Sequence, residues 1–160
     1  MSPRRRQSAG ILLWRRAPTS PDGIEVLLAH PGGPLFAKRD EDTWTVPKGE
    51  YEGDGMPYDE ARREFEEETG YRAPDGPAID LGEIQQKGGK YVVCWALEGD
   101  LDPATARSNT FLLEWPPRSG KRIEVPEVDR VEWFAPAEAR RRIKAAQIPF
   151  IDRLLAALDG

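Results

Sequence analysis

The chain has 160 residues, with 28 acidic and 23 basic side chains and a net charge of −5 at pH 7. That length gives one compact domain with a sizeable core and is short for two independent ones, and the acidic balance argues against non-specific nucleic-acid binding. Cys94 is the only cysteine, which excludes an intrachain disulfide framework and suits a reducing, cytoplasmic setting.

No apolar run is long enough for a membrane span. The stretch after Arg4-Arg5-Arg6 lacks a signal-peptide core and cleavage site. Residues 1–8 therefore read as a flexible basic arm ahead of a single domain over 9–160. Strands are expected over 10–16 and 24–30, joined as a hairpin by Pro18-Thr19-Ser20-Pro21-Asp22-Gly23. A loop over 31–42 leads to a short strand at 43–46. A helix should start near Pro57, where a missing N–H costs nothing, and stop at Gly70, which accepts a left-handed conformation. A second hairpin joins 79–86 to 91–97 across Lys87–Lys90, and strands at 110–115 and 128–134 flank a loop containing proline and glycine. Helices follow over 136–146 and 149–158, the last with Ile151, Leu154, Leu155 and Leu158 at helical spacing. Such an order predicts an α/β fold in which helices cover both faces of a mixed sheet.

The loop Gly49-Glu50-Tyr51-Glu52-Gly53-Asp54-Gly55 and the helix after it carry the chemistry. At 3.6 residues per turn, Glu60, Glu64, Glu67 and Glu68 share an arc of roughly 100°. Tyr58, Ala61, Phe65 and Thr69 form an adjoining packing face, while Asp59, Arg62 and Glu66 point to water and Arg63 borders the acids. Glu60/Glu64 and Glu64/Glu68 are like-charged pairs, each costing about 0.2–0.5 kcal/mol in a helix. A solvated acidic face is the ordinary explanation of such a run, but it requires neither the glycine-rich loop nor the arginine. A divalent cation accounts for the set better: Mg²⁺ takes one or two carboxylates and leaves its other positions to water and substrate phosphates.

In register, Gly49, Arg63, Glu64, Phe65, Glu67, Glu68, Gly70 and Tyr71 resemble the signature box of the Nudix hydrolases, preceded by a similar approach, Trp44-Thr45-Val46-Pro47-Lys48. The resemblance implies the Nudix fold, an α/β/α sandwich. It also implies a Mg²⁺-dependent pyrophosphohydrolase, with Mn²⁺ a substitute, that acts by attack of water at phosphorus on a nucleoside triphosphate or dinucleoside polyphosphate. In these terms Glu64, Glu67 and Glu68 are metal ligands, joined by the backbone carbonyl of Lys48. Glu64 is alternatively the base, and Arg63 positions the carboxylates. Where the family has its first box glutamate this chain has Gly55, so Glu52, Asp54 or Glu60 must supply any carboxylate there. That departure sustains an alternative, a non-catalytic nucleotide-binding or regulatory module. An interaction protein using the acidic helix and the basic arm is a third reading.

Beyond the box, Glu127 is the first candidate for a further ligand, ahead of Glu132 and Glu114. Substrate phosphates are expected at Lys48 and at the basic loop with Arg118, Lys121 and Arg122. Tyr51, Phe36, Trp44 and Trp115 are candidates for base stacking, although core packing is the commoner use of such rings. His30 reads as a turn-stabilising or substrate-rim residue and Cys94 as core. A small-molecule nucleotide is the expected partner, with no membrane and no stable nucleic-acid complex; the sequence leaves the oligomeric state open.

Overall fold

The computed structural model describes residues 6–52 and 55–159. Its elements are β1 (Gln7–Arg16), β2 (Ile24–Pro31), β3 (Lys48–Glu50), α1 (Pro57–Thr69), β4 (Ile79–Gln85), β5 (Tyr91–Glu98), β6 (Thr110–Glu114), β7 (Arg122–Pro126), β8 (Val128–Phe134), α2 (Pro136–Arg142) and α3 (Ile148–Asp159). A mixed sheet runs β4-β5-β1-β2-β8, with β3 also on β1, and β6 and β7 form a separate two-stranded ribbon.

Both expected hairpins form: β1 is antiparallel to β2, with Trp14 opposite Val26, and β4 is antiparallel to β5. β1 pairs in parallel with β5 from Gln7↔Tyr91 to Trp14↔Glu98. β1 pairs with β2 only over Trp14–Arg16, and with β3 over Ser8–Gly10 on its other half. Into that divergence comes the segment 44–50, held by Thr45 N–H to Ala29 O at 2.9 Å and Ile11 N–H to Pro47 O at 3.1 Å. Gly10 is required at this crossing, because a Cβ there would lie 2.7 Å from the Pro47 carbonyl.

Alternation along β1 divides the core into two layers. Leu12 and Trp14 pack with Trp44, Val92, Cys94, Phe150 and Leu154 under α2 and α3. Ala9, Ile11 and Leu13 pack with Ala61, Phe65, Leu97 and Val131 under α1. The expected α/β/α sandwich is therefore present.

Several boundaries differ from the sequence reading. Residues 1–5 of the expected arm lie outside the described residues, but Gln7 and fully buried Ser8 already belong to β1. The 43–46 strand is reduced to isolated bridges, Ala29↔Thr45 and Trp44↔Ile143. β7 lies inside the expected loop, and its Ile123 and Val125 face Leu113 and Phe111 of β6. The helix expected to continue to residue 146 stops at Arg142. Ile143 becomes extended, buries its side chain and bridges to Trp44, and core packing thereby overrides the helical tendency of the following Lys-Ala-Ala.

Candidate active site

α1 presents its acids through a simple division of labour. Pro57 opens it without a side-chain cap, and Gly70 closes it at φ 80°, its N–H reaching Glu66 O at 2.8 Å. Ala61, Phe65 and Thr69 are fully buried against the sheet, and Tyr58 meets Trp95 edge-on at 5.3 Å. Arg62 does not point to water as expected. Its guanidinium donates to Pro74 O at 2.8 Å and Ala73 O at 2.9 Å, tying the chain after α1 back onto the helix.

β3 crosses directly over the acidic face. Glu64 is only 8 % exposed, and its carboxylate occupies the space a side chain at Gly49 would fill. One residue earlier, the Lys48 N–H donates to Glu68 Oε1 at 3.1 Å. Glycine is thus needed at 49 for close approach of the backbone to a carboxylate, and the box spacing brings Glu64 and Glu68, one helical turn apart, under consecutive residues of β3. The far end of the helix is strapped by Asn109, whose N–H donates to Glu67 O, while its own carbonyl accepts from Glu127 N–H, both at 2.9 Å. These two bonds carry Glu127, from the β7–β8 link, to the acidic face.

Crowding shows in the titration of these carboxyls. Burial pushes Glu68 up to about 8, with Glu127 and Glu64 adding to the rise and the Lys48 N–H and ammonium opposing it. Glu64 is raised by burial and then by Glu67, against Arg63. Glu127 is raised by burial and then by Glu67. Burial lowers Lys48 to about 8, helped by the charges of Lys90 and Lys144 and opposed by Glu68 and Glu50.

Arg63 joins the carboxylates. Its Nη1 donates to Glu67 at 2.8 Å, its Nε to Glu60 at 3.2 Å, and its Nη2 bonds Glu60 closely while lying 3.3 Å from Glu64. The bonds to Glu60 and then Glu67 raise its affinity for the proton further, against burial. Glu60 Oε1 lies 2.8 Å from where a Gly55 Cβ would stand. The carboxylate of Glu60 therefore sits beside the position from which the box glutamate is missing.

Hard oxygen donors, three of them with raised proton affinity, fit a divalent cation, because a cation would relieve their repulsion. Among the described residues no three acidic, histidine or cysteine side chains are already gathered at ligating distance. Arg63 donates to Glu67 and the Lys48 N–H to Glu68, so a cation would share or replace these donors.

Other expected site residues fall elsewhere. Tyr51, 9 % exposed, packs with Ala61 and Phe65 beneath α1. Trp44 is fully buried, its Nε1 bonded to Asp40 at 3.0 Å, whereas Phe36 and Trp115 are half-buried. Arg118, Lys121 and Arg122 lie at the tip of the β6–β7 ribbon, where Arg118 N–H bonds Glu114 Oε1 at 3.0 Å. Four residues separate that tip from the ribbon's base near the acids, about 13 Å at strand rise. Glu132 is exposed on β8, opposite Leu28 of β2. His30 is fully buried and stabilises the turn after β2, its ring nitrogens meeting Asp129 at 2.9 Å and Arg39 O at 2.6 Å.

Sequence reasoning passed over the Asn109 strap and fully buried Gln147, whose Oε1 accepts from Val46 N–H at 3.0 Å. Their partners lie far away in sequence, so no local pattern marks them.

The fold thus places a carboxylate-lined helix beneath a glycine-bearing strand. The family model described as NUDIX domain matches residues 4–154, and the chain belongs to that family. No curated protein sequence matches it significantly. Among solved structures it is similar to a Caenorhabditis elegans Ap4A hydrolase in a binary complex, 20% identical, covering 97% of this chain and 98% of that one with a TM-score of 0.64. The NUDIX domain of Shewanella oneidensis NrtR complexed with ADP ribose is 14% identical, covering 98% and 90% at TM-score 0.67. The MutT protein of Methanosarcina mazei is 18% identical, covering 99% of each chain at TM-score 0.59.

Proposed function

We propose that this chain is a Mg²⁺-dependent pyrophosphohydrolase, with Mn²⁺ a working substitute. It cleaves a pyrophosphate link in a nucleoside triphosphate or dinucleoside polyphosphate by attack of water at phosphorus. The observation that carries this reading is the crowding of Glu64, Glu68 and Glu127, whose proton affinities are raised by burial and mutual repulsion, beside a glycine strand. Glu67, Glu68 and the Lys48 carbonyl would hold the cation, with Glu127 at the rim, which leaves Glu64 as the base. When bound, Mg²⁺ neutralises phosphate charge and makes water more acidic. Glu64, buried and raised in proton affinity, accepts the proton from the attacking water as the new P–O bond forms and the bridging oxygen leaves with the departing phosphate. Arg63 aligns Glu67 and Glu64, and the Lys48 ammonium offsets phosphate charge at the mouth of the site. The partner is a small nucleotide and the setting cytoplasmic, in keeping with the one buried, unpaired Cys94; no helix among the described residues is long and apolar enough to cross a membrane.

Gly55 favours the second reading, a module that binds nucleotide without turnover. Against it stands Glu60, which brings a carboxylate to that place and bonds Arg63. Because the similar structures are an Ap4A hydrolase and a domain holding ADP ribose, both ligands belong in a panel with nucleoside triphosphates. Release of products with Mg²⁺, lost with chelator and in Glu67→Gln/Glu68→Gln, is the expected result. Binding without products from any nucleotide would establish the module instead.

A further inference from the structure

Away from the acids, a cavity of about 420 Å³ is lined by Asp42, Gln86, Lys87, Lys144, Ala145 and Ala146. It lies between the β4–β5 turn and the link from α2 to α3. Gln147 braces it, donating to Gln86 Oε1 at 2.7 Å and to Thr45 Oγ1 at 2.9 Å. Through Val46 N–H the same side chain holds the strand that continues to Lys48, whose N–H bonds Glu68. The cavity and the acidic face are thus joined by one short run of backbone.

Lysines gather here in a chain whose net charge is −5. Lys48 comes from β3, Lys87 and Lys90 from the β4–β5 turn, and Lys144 from the link after α2. The charges of Lys90 and Lys144 both act on Lys48. Lys48, Lys90 and Lys144 are half-buried, which separates them from an ordinary solvated lysine face. Lys90 has Glu50 at 3.7 Å, but among the described residues no carboxylate lies within 4 Å of the Lys48, Lys87 or Lys144 ammonium. The one acid in the lining, Asp42, uses its Oδ1 to accept from Ala145 N–H at 2.8 Å. Burial and the charge of Lys90 both disfavour the charged form of Lys144, with Asp42 alone opposing them, so an incoming anion would add to that opposition. A single carboxylate would not balance so many charges, whereas a phosphate chain brings one or more per group, and lysine serves phosphate as a point charge.

We propose that this cavity is a subsite for an oligophosphate chain, taking phosphate groups beyond the cleaved link through Lys87 and Lys144, with the charge of Lys90 nearby. The inference rests on the pyrophosphohydrolase reading and deepens it: the preferred substrates carry three or more linked phosphates, as opposed to sugar-linked diphosphates.

Inorganic tripolyphosphate, titrated by calorimetry into the full chain in chelator, tests the subsite without catalysis. The expected result is binding that weakens at least ten-fold in Lys87→Gln/Lys144→Gln and persists in Glu68→Gln. Glutamine keeps the backbone bond from Lys144 N–H to Trp44 O, and an unchanged melting curve verifies the fold. Equal affinity in the double variant, or no binding by the native chain, overturns the subsite. With Mg²⁺, KM for a triphosphate should rise in the double variant relative to KM for a sugar-linked diphosphate; an unchanged ratio also overturns it. Lysine-dependent tripolyphosphate binding with no turnover of any nucleotide would sink the catalytic reading and leave the subsite standing.

Discussion

Replacing Glu68 with glutamine keeps the side chain's shape and an oxygen to accept from Lys48 N–H, while removing a carboxyl whose proton affinity lies far above the ordinary range. In the folded chain that carboxyl is pushed to about 8, from an ordinary value of 4.5, chiefly by burial. The folded state therefore holds the proton more tightly than the unfolded one. The stability it contributes is full below pH 4.5 and is lost as pH rises to about 8. At ~1.36 kcal/mol per pH unit, that interval sets a ceiling of about 5 kcal/mol, and solvent screening at the edge of the site reduces the expected loss to about 2–3 kcal/mol. Urea unfolding of native chain and Glu68→Gln in chelator, at pH 5, 6, 7 and 8, isolates this carboxyl, because other titrating groups contribute to both. The native chain should lose about 2–3 kcal/mol more than the variant across that range. Parallel stability curves would refute the claim that Glu68 is ionised at a cost beneath β3.

Three further outcomes follow from the same geometry. Saturating Mg²⁺ should raise the melting temperature more at pH 8 than at pH 6, since the cation competes with the protons that Glu64, Glu68 and Glu127 take up, and a hundred-fold excess over Kd corresponds to about 2.7 kcal/mol; differential scanning calorimetry at both pH values checks this, and equal shifts would contradict it. Gly49→Ala should lower kcat/KM at least about ten-fold, ~1.4 kcal/mol, because its Cβ displaces the Glu64 carboxylate; retained activity in a steady-state assay would dismiss the close approach. Glu60→Ala should reduce kcat by about ten-fold or more by releasing Arg63, and adding Gly55→Glu should restore much of it; no recovery in the folded double variant would show that Glu60 does not stand in for the missing glutamate.

The carboxylate-bearing helix α1 was legible because everything that defines it is local. Pro57, Gly70 and the 3.6-residue repeat fix its ends and faces, and Gly49 stands at the matching box spacing. The family model matches well beyond the box, over residues 4–154. Of the three carboxylates expected near Gly55, Asp54 lies outside the described residues, and Glu60 is brought beside that position by the folded helix. Less local features escaped. Aromatic rings look alike in sequence whether they stack on a ligand or fill a core; insertion of 44–50 between β1 and β2 buries Trp44 and Tyr51. β7 was hidden because Ile123 and Val125 alternate over so few residues beside a basic turn and prolines. Arg62 sits where the helical wheel meets water, but the returning chain at 73–75 comes to it. The lysine cavity draws on segments about 40 to 60 residues apart, a separation beyond any periodicity.

Hydrolysis of a nucleotide panel containing nucleoside triphosphates, Ap4A and ADP-ribose, with Mg²⁺ and with chelator, beside Glu67→Gln/Glu68→Gln, tests the central claim most directly. The account predicts Mg²⁺-dependent cleavage of a pyrophosphate link, identified by product mass and abolished in the double variant. Nucleotide binding without any product in Mg²⁺ or Mn²⁺ would contradict it and make the chain a binding module.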